Sequence, residues 1–299
     1  MRLGVLMSGG DAPGMNAVLS GALERATDLG IELIGIEGGF VGLCAGRTRA
    51  LERAEVDAAA GRAGTILETS RFPELKTPAG LRRCLDAIGQ LAIDGLIVVG
   101  GEGSVTGAAA LAAGGATVVA VPATIDNDVP GTSMTIGHDS AVHYGVRAIE
   151  DLRMTATAMP GRSFVVQTLG GTSGNLARAV AAATGVVDVI IPETRPDLEA
   201  LGARLRELTP GGHVIVVMGE GAGNAVAMAE DLANRSGVRI HFTILGHSQR
   251  GAVPTAIDRT IGRAAGSAAV DSLAAGRSGL VTLSASTEPG LAAFPAPST

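Results

Sequence analysis

The run Thr117-Val118-Val119-Ala120-Val121-Pro122-Ala123-Thr124-Ile125-Asp126-Asn127-Asp128 decides the fold. Its apolar first half, Thr117 to Val121, is typical of a buried parallel strand. Pro122 is predicted to end that strand, because proline fixes φ and has no N–H for the ladder. A threonine and two carboxylates then follow the strand's carboxyl end, where ligands bind in open α/β sheets. Thr, Asp and Asn are also common loop formers, so the functional interpretation depends on the other strand ends.

Glycine-rich polar loops follow several other predicted strands. They are Gly9-Gly10 after strand 3–8, Gly100 to Ser104 after strand 96–99, and Gly170-Gly171 after strand 163–169. Adjacent glycines let the backbone approach a ligand, and a following helix directs its N–H groups at an anion. Strands that alternate with helices along the chain predict an α/β fold with a parallel sheet. These glycine-rich polar loops occur in both halves of the sequence. We therefore expect two lobes, with the chain crossing from one lobe to the other near residues 137 and 250.

Composition narrows the class of protein. The chain has 299 residues, enough for one large or two medium domains. Its net charge of −6, without a basic run, argues against a nucleic-acid partner. Cys44 and Cys84 are too few and too far apart in sequence for a disulfide framework. No apolar run reaches the roughly 18 residues of a membrane span, and no signal peptide is recognised, which predicts a cytoplasmic protein without a membrane partner.

Four familiar motifs fit poorly. The stretch Gly246 to Gly251 is similar to a GxSxG elbow, but its second glycine comes one position late and no histidine follows Ser248. The glycines at 101, 103 and 107 have one residue too many for a dinucleotide fingerprint. No GxxxxGK[ST] occurs, and the five histidines show no zinc-ligand spacing.

A phosphoryl-transfer site agrees better with the loops. That chemistry needs glycine loops around phosphates, a carboxylate for Mg²⁺, an arginine on the transferred group and a carboxylate base on the acceptor hydroxyl. Gly9-Gly10, Glu102, Arg71 and Asp126 supply these four roles in that order.

Six motifs in order carry a resemblance to one family. They are SGGDAPGMN at 8–16, SRFPE at 70–74, GGEGS at 100–104, TIDND at 124–128, IPE at 191–193 and LGHSQRG at 245–251. With them the chain resembles the bacterial-type 6-phosphofructokinases over roughly residues 2 to 285.

The resemblance implies a two-lobed, parallel-sheet, Rossmann-like phosphofructokinase fold and a homo-oligomer, either tetramer or dimer. Residues 1–137 plus 251–285 would be the nucleotide-binding lobe, 138–250 the sugar-phosphate lobe and 286–299 a frayed tail. The implied reaction is ATP-dependent, Mg²⁺-requiring phosphorylation of fructose 6-phosphate at its 1-hydroxyl. Alternatives are a family kinase for another sugar phosphate or polyol, and a weak or silent binding or sensing member.

The resemblance also implies a role for individual residues. Those that would line the ATP site are Gly10, Arg71, Phe72, Gly101, Glu102, Gly103 and Ser104, with Glu102 at the metal. Asp126 would be the catalytic base, with Thr124, Asp128 and Arg71 beside it. Those that would bind the sugar phosphate, besides Thr124 and Asp126, are Arg162, Leu169, Gly170, Gly171, Glu220, His241, His247 and Arg250, with Arg162 reaching across a subunit boundary.

Three positions depart from the family pattern. The family's magnesium aspartate is Glu102 here, an arginine of the family is Gly171, and a second sugar-phosphate arginine is His241. A histidine lacks the bidentate fork of arginine and carries at most part of its charge at neutral pH. We therefore expect weak catalysis on fructose 6-phosphate, or a different acceptor.

Two further comparisons with the family concern the donor and the regulation. Pyrophosphate-using relatives carry Asp and Lys where this chain has Gly103 and Ala123, so the small residues here favour ATP. Regulated relatives bind effectors with a cluster of cationic residues. The matching positions here are Ser20, Glu24, Met154 and Gly211, with Arg53 the one that survives, which predicts that allosteric control is lost.

Overall fold

The computed structural model describes residues 1–284 and 288–296, in which strands and helices alternate. The described strands are β1 (Arg2–Ser8), β2 (Glu32–Ile36), β3 (Thr48–Ala50), β4 (Gly95–Gly100), β5 (Val118–Thr124), β6 (Ile136–Gly137), β7 (Ser163–Thr168), β8 (Asp188–Ile190), β9 (Ile215–Gly219), β10 (Ile240–Ile244), β11 (Gly279–Thr282) and β12 (Gly290–Ala292). The described helices are α1 (Met15–Asp28), α2 (Gly39–Cys44), α3 (Arg53–Ala59), α4 (Pro78–Gln90), α5 (Glu102–Ala113), α6 (His138–Ala158), α7 (Asn175–Thr184), α8 (Leu198–Leu208), α9 (Ala225–Ser236) and α10 (Ala256–Ala274).

The chain divides into two compact units. The first comprises Met1–Asp139 and Val253–Thr299, and the second comprises Ser140–Ala252. These boundaries lie close to the crossings predicted near 137 and 250. What each unit binds stays a prediction. In the described part of the chain, no helix combines the length and the apolar character needed to cross a bilayer.

The first unit is built on a mostly parallel sheet with the order β12-β11-β5-β4-β1-β2-β3, and β6 extends it from β5. The pairs β2–β3 and β11–β12 are antiparallel and lie at the two edges. Every residue of β4 and β5 is buried, because helices cover both faces of these central strands. The continuous apolar runs that predict these strands follow from that double burial.

Glycines let helices α1 and α10 of the first unit approach each other closely. A Cβ on Gly21 would lie 2.0 Å from the carbonyl oxygen of Arg263, and one on Gly266 would lie 2.1 Å from that of Val18. A larger residue at either position would have to push the backbones apart. This packing fixes α1, which begins directly after the first glycine loop.

The second unit has a four-stranded parallel sheet with the order β10-β7-β9-β8. Its core contains side chains from β7, β8 and β9 and from helices α8 and α9, among them Val165, Met218 and Leu232. Strand β10 lies at the sheet edge, where Phe242 is 48% and Ile244 is 51% exposed. The α/β fold with parallel sheets predicted from the sequence is confirmed.

Two local predictions are wrong. Pro122 does not end its strand: it is the last residue in register with β4, but β5 continues to Thr124 by pairing with β6. The tail is not frayed over Gly290–Ala292, which pairs antiparallel with β11. Residues 286, 287 and 297–299 of that predicted tail lie outside the described residues.

Candidate active site

The segment after β5 is held by two threonines. Thr124, the last residue of β5, is buried, and its hydroxyl accepts a hydrogen bond from the Asp126 N–H at 3.2 Å. The buried Thr135 hydroxyl donates to the Thr124 carbonyl at 2.7 Å. Asn127 adopts a left-handed conformation with φ of 51°, which turns the chain sharply between the two aspartates. Asp126 and Asp128 are therefore presented at the carboxyl edge of the sheet.

Three carboxylates of the first unit share one electrostatic environment. Burial raises the pKa of Asp128, and the negative charges of Asp126 and, more weakly, Glu102 raise it further. Glu102 is the first residue of α5 and follows β4, the neighbour of β5 in the sheet. The strand-end rule thus brings together the carboxylates that the sequence places 24 and 26 residues apart.

The carboxylate oxygens of these three residues are suitable ligands for Mg²⁺. Among the described residues, no group of three or more His, Cys, Asp or Glu side chains forms a complete metal site. Kinase magnesium is usually held by one or two carboxylates together with substrate phosphates and water, so a partial set is what such a site requires. Glu102 and its neighbours fit that requirement, since a bound cation would relieve the repulsion that raises the pKa of Asp128.

Hydrogen bonds attach the loop that carries Arg71 to the first glycine loop. The Gly9 N–H donates to the Ser70 carbonyl at 3.1 Å, and the Thr69 hydroxyl donates to the Gly9 carbonyl at 2.9 Å. The Ser70 hydroxyl donates to the Gly38 carbonyl at 2.6 Å. Arg71 follows directly and is exposed. Arg71 is thus an exposed residue next to a segment that is attached to the backbone of Gly9.

The second glycine loop is attached to the same strand. The buried Ser104 hydroxyl donates to the Ser8 carbonyl at 3.1 Å. A Cβ on Gly100 would lie 2.3 Å from that carbonyl, so the contact requires glycine. A Cβ on Gly103, by contrast, would meet no heavy atom within 4 Å, and this residue is exposed. The loop thus combines a tight base with an open outer face.

In the second unit, one group of predicted residues lies at the carboxyl ends of β7, β9 and β10. Glu220 follows β9, and its Oε1 accepts hydrogen bonds from the N–H groups of Gly170 at 3.2 Å and Gly171 at 2.7 Å. The Leu169 N–H donates to Oε1 of Gln249 at 2.8 Å. Gln249 is buried in the turn Gly246–Gln249, which carries His247 and is followed by Arg250.

The other two predicted residues lie at the opposite end of that sheet. Arg162 precedes β7, and His241 is near the start of β10, in register with Phe164. The His241 ring lies 5.6 Å from the Phe164 ring, and its Nε2 has no hydrogen-bond partner in the described part of the chain. Burial lowers the pKa of His241, and the positive charges of Arg239 and Arg162 lower it further. Within one chain, Arg162 and His241 are thus not grouped with His247 and Arg250.

Comparisons with known proteins agree with this architecture. Residues 2–273 match the family model described as Phosphofructokinase. The chain belongs to the phosphofructokinase family. It is 42% identical over 279 residues to the ATP-dependent 6-phosphofructokinase of Natranaerobius thermophilus, covering 93% of this chain and 87% of that protein. It is 40% identical over 281 residues to that of Halalkalibacterium halodurans, covering 93% and 88%.

Solved phosphofructokinases share the fold. The structure of the Pichia pastoris phosphofructokinase matches with a TM-score of 0.90 and 27% identity, over 98% of this chain and 35% of that one. The chain thus spans about a third of that larger protein. A pyrophosphate-dependent phosphofructokinase from Marinobacter aquaeolei matches with a TM-score of 0.87 at 20% identity, which shows the shared fold alone.

Sequence reasoning missed several residues that hold the segments of this candidate site in place. Thr135 and Ser70 act through their hydroxyls on the segments that carry Asp126 and Arg71. Gln249 bridges Leu169 and Ala141 through its amide: the oxygen accepts from the Leu169 N–H, and the nitrogen donates to the Ala141 carbonyl at 3.2 Å. A buried glutamine inside a motif of ligand-binding residues is a signal that could have been used. Arg239 carries no such signal, because it lies outside every motif.

Proposed function

We propose that this chain transfers the γ-phosphoryl group of ATP to the 1-hydroxyl of fructose 6-phosphate, giving fructose 1,6-bisphosphate and ADP. The observation that carries the proposal is the placement of Asp126, Asp128 and Glu102 at one sheet edge. The two curated relatives described above are named ATP-dependent 6-phosphofructokinases, which supports the same reaction.

Asp126 is the proposed general base. Its carboxylate would take the proton of the sugar 1-hydroxyl as that oxygen attacks the γ-phosphorus, so one proton leaves the acceptor for each phosphoryl group gained. Thr124 holds the backbone of this residue through the 3.2 Å hydrogen bond. The position of the base thus depends on the strand end and not on a mobile loop.

The nucleotide phosphates are assigned to the two glycine loops and to Arg71. Gly9 has a φ of 87°, which a residue with a side chain adopts only with strain. Glu102 and Asp128 are the proposed ligands of Mg²⁺, which would neutralise charge on the transferred phosphate. The open space at Gly103 supports ATP as the donor, because the α-phosphate and nucleoside need room that a larger side chain would fill.

We assign the sugar phosphate to two copies of the chain. Glu220, His247 and Arg250 would bind it from one copy, and Arg162 and His241 from another. Their separation along β10 supports this assignment: His241 and the end of the strand at Ile244 are three residues apart, or about 10 Å in an extended strand. The exposed apolar side chains of the edge strand β10 also favour contact with a second copy.

A second candidate acceptor is a sugar or polyol without the 6-phosphate. The lowered pKa of His241 favours it, because a neutral imidazole replaces a permanently charged arginine of the family. ATP turnover with a panel of fructose 6-phosphate, other hexose phosphates and unphosphorylated sugars, with products identified by mass, tests both. Activity confined to unphosphorylated acceptors would replace the first proposal with the second, and no turnover with any would contradict both.

A further inference from the structure

The two cysteines lie side by side, although 40 residues separate them. Cys44 is the last residue of α2, Cys84 lies within α4, and these helices pack together. The two Sγ atoms are 3.1 Å apart, and both are free thiols. The sequence argument against a disulfide framework therefore does not apply to this pair, which the fold brings into contact.

The two thiols differ in their surroundings. Cys84 is fully buried, whereas Cys44 is partly exposed. Burial raises the pKa of the Cys84 thiol well above its ordinary range, and the hydrogen bond with Cys44 raises it further. An oxidant from solution therefore reaches Cys44 first, and Cys84 is the thiol already in place behind it.

We propose that Cys44 and Cys84 form a reversible dithiol that small-molecule disulfides close to an intramolecular disulfide. The Cys44 thiolate attacks one sulfur of the small disulfide and expels one thiolate. This leaves a mixed disulfide on Cys44. Cys84 then gives its proton to the expelled thiolate and attacks Cys44 Sγ, which breaks the mixed disulfide and expels the second thiolate. The two protein thiols are oxidised, and the small disulfide is reduced to two thiols, so atoms and electrons balance. Disulfides in reducing compartments are generally transient and regulatory, which suits such a pair.

Both helices that carry the cysteines also hold the segment from Ser70 to Lys76. Gly38, just before α2, accepts the hydrogen bond from the Ser70 hydroxyl. In α4, the Arg83 guanidinium lies 5.9 Å from the centroid of the Phe72 ring, and a Cβ on Gly80 would lie 2.0 Å from the Glu74 carbonyl. Bond formation draws the two sulfurs about 1 Å closer, since a disulfide bond measures about 2 Å. We infer that this movement shifts Arg71 and Phe72 and weakens ATP binding, a step that rests on the proposed function.

The first experiment does not depend on enzymatic activity. The folded protein is treated with glutathione disulfide and analysed by intact mass and by titration of free thiols. We expect the loss of two hydrogens and of both thiols, full reversal by dithiothreitol, and a melting temperature raised by roughly 5 °C in the oxidised form. Cys84→Ser should instead retain a glutathione adduct on Cys44, and Cys44→Ser should remain unmodified. A stable glutathione adduct on the wild type, or no reaction, would overturn the proposal.

The second experiment measures ATP binding by calorimetry in the oxidised and reduced forms. We expect a several-fold weaker affinity after oxidation, restored by dithiothreitol, and no change in treated Cys44→Ser. Equal affinities in a protein whose disulfide has formed would overturn the regulatory step. Absence of ATP binding in the reduced protein would contradict the proposed function instead, while the mass measurement still decides the dithiol.

Discussion

In the first unit, the residues assigned to the nucleotide and to catalysis gather at one sheet edge. In the second unit, those assigned to the sugar phosphate separate to opposite ends of one sheet. Most of the first group follows strands β1, β4 and β5, because parallel strands end together. Arg71 instead comes from the segment that is hydrogen-bonded to Gly9. The second group mixes residues that follow strands, such as Glu220, with residues that precede or begin them, such as Arg162 and His241.

This difference has a direct physical consequence. On the proposed assignment, the residues for the nucleotide and for catalysis all come from one unit of one chain. His241 and the end of β10 at Ile244 are about 10 Å apart, which is why we propose that a second copy of the chain supplies one of the two sets for the sugar phosphate. The nucleotide half of the proposed reaction would then depend on the folded chain, whereas the sugar-phosphate half would also depend on association.

The largest expected effect concerns the nucleotide and catalytic residues of the first unit. Asp126→Asn should lower turnover by about 10²–10⁴-fold, because the amide cannot accept the proton of the acceptor hydroxyl. ATP affinity should remain within a few-fold, since the backbone hydrogen bond to Thr124 is kept. Steady-state rates and calorimetry measure the two quantities. Asp86→Asn, on the exposed face of α4, is the matched control, and a similar loss there would show a general effect on folding.

The next prediction concerns the residues assigned to the sugar phosphate, and it is tested by mixing two variants of the chain. Arg162→Ser and Arg250→Ser should each lower kcat/KM for fructose 6-phosphate by about 10–100-fold, the effect of losing one charge-assisted contact to phosphate. Co-refolding the two variants should restore activity. In a hybrid with a two-fold interface, one of the two sites has both arginines, so about half of the wild-type activity is expected per hybrid pair.

The mixing result can contradict the comparison. If the two arginines serve one site within a single chain, each site of a hybrid lacks one of them, and mixing restores nothing. A double variant that carries both substitutions, mixed with wild type, is the control for subunit exchange.

A smaller effect concerns the donor. Gly103→Asp should raise the KM for ATP by about tenfold, because its carboxylate repels the nucleotide phosphates. Since a Cβ at this position meets no heavy atom within 4 Å, the melting temperature should not change. Gly103→Ala is the control for bulk and should keep the wild-type KM. An unchanged KM in Gly103→Asp would show that the nucleotide does not pass this residue.

The rule that ligands bind at the carboxyl ends of parallel strands predicted most of the candidate site in the first unit. The predictions that failed did so for physical reasons. Gly9-Gly10, Glu102 and Asp126 lie at strand ends, as expected. Pro122 was not expected within a strand, because proline cannot donate a hydrogen bond to the ladder. β5 continues beyond Pro122 because Ala123 and Thr124 pair with β6. Contacts between distant segments, such as Cys44 with Cys84, leave no local pattern in the sequence. The position of Arg162 and His241 at the other end of the sheet depends on the register between β7 and β10, in which His241 pairs with Phe164.

His241 is expected to change the affinity for the acceptor a few-fold. The structure moves the pH dependence of that affinity to lower pH. The sequence predicts that acceptor affinity rises as the pH falls from 8 to 6. Because burial and the positive charges of Arg239 and Arg162 lower the pKa of His241, that rise should occur at a lower pH than an ordinary histidine would give. His241→Arg should tighten fructose 6-phosphate binding and flatten that dependence, whereas His241→Gln should flatten it without tightening. The profile of His241→Gln, which has no imidazole, gives the titration of the substrate phosphate and is subtracted from the wild-type profile. Identical pH profiles in wild type and His241→Gln would place His241 away from the phosphate.

The smallest expected effect is none at all, and it concerns control by nucleoside diphosphate or phosphoenolpyruvate. Arg53, the arginine that remains of the family's effector cluster, is bound within the first unit by Asp57 at 2.7 Å and lies 3.9 Å from Glu24. The hydrogen bond and charge of Asp57 raise the pKa of Arg53 further, so it stays charged but is already neutralised by carboxylates. Glu24 also pairs with Arg263 at 3.5 Å, and the Ser20 hydroxyl donates to Asp57 at 3.3 Å. A phosphate at this position would have to displace these acids against like-charge repulsion.

Saturation curves for the sugar phosphate should therefore superimpose with and without ADP or phosphoenolpyruvate, once competition at the ATP site is subtracted. The double variant Glu24→Arg with Asp57→Ser supplies the missing positive charge and removes both acids. A response to ADP in that variant would show that the two acids abolish control in the wild type. A sigmoidal curve that ADP relieves in the wild type would instead show that a working effector site uses other residues.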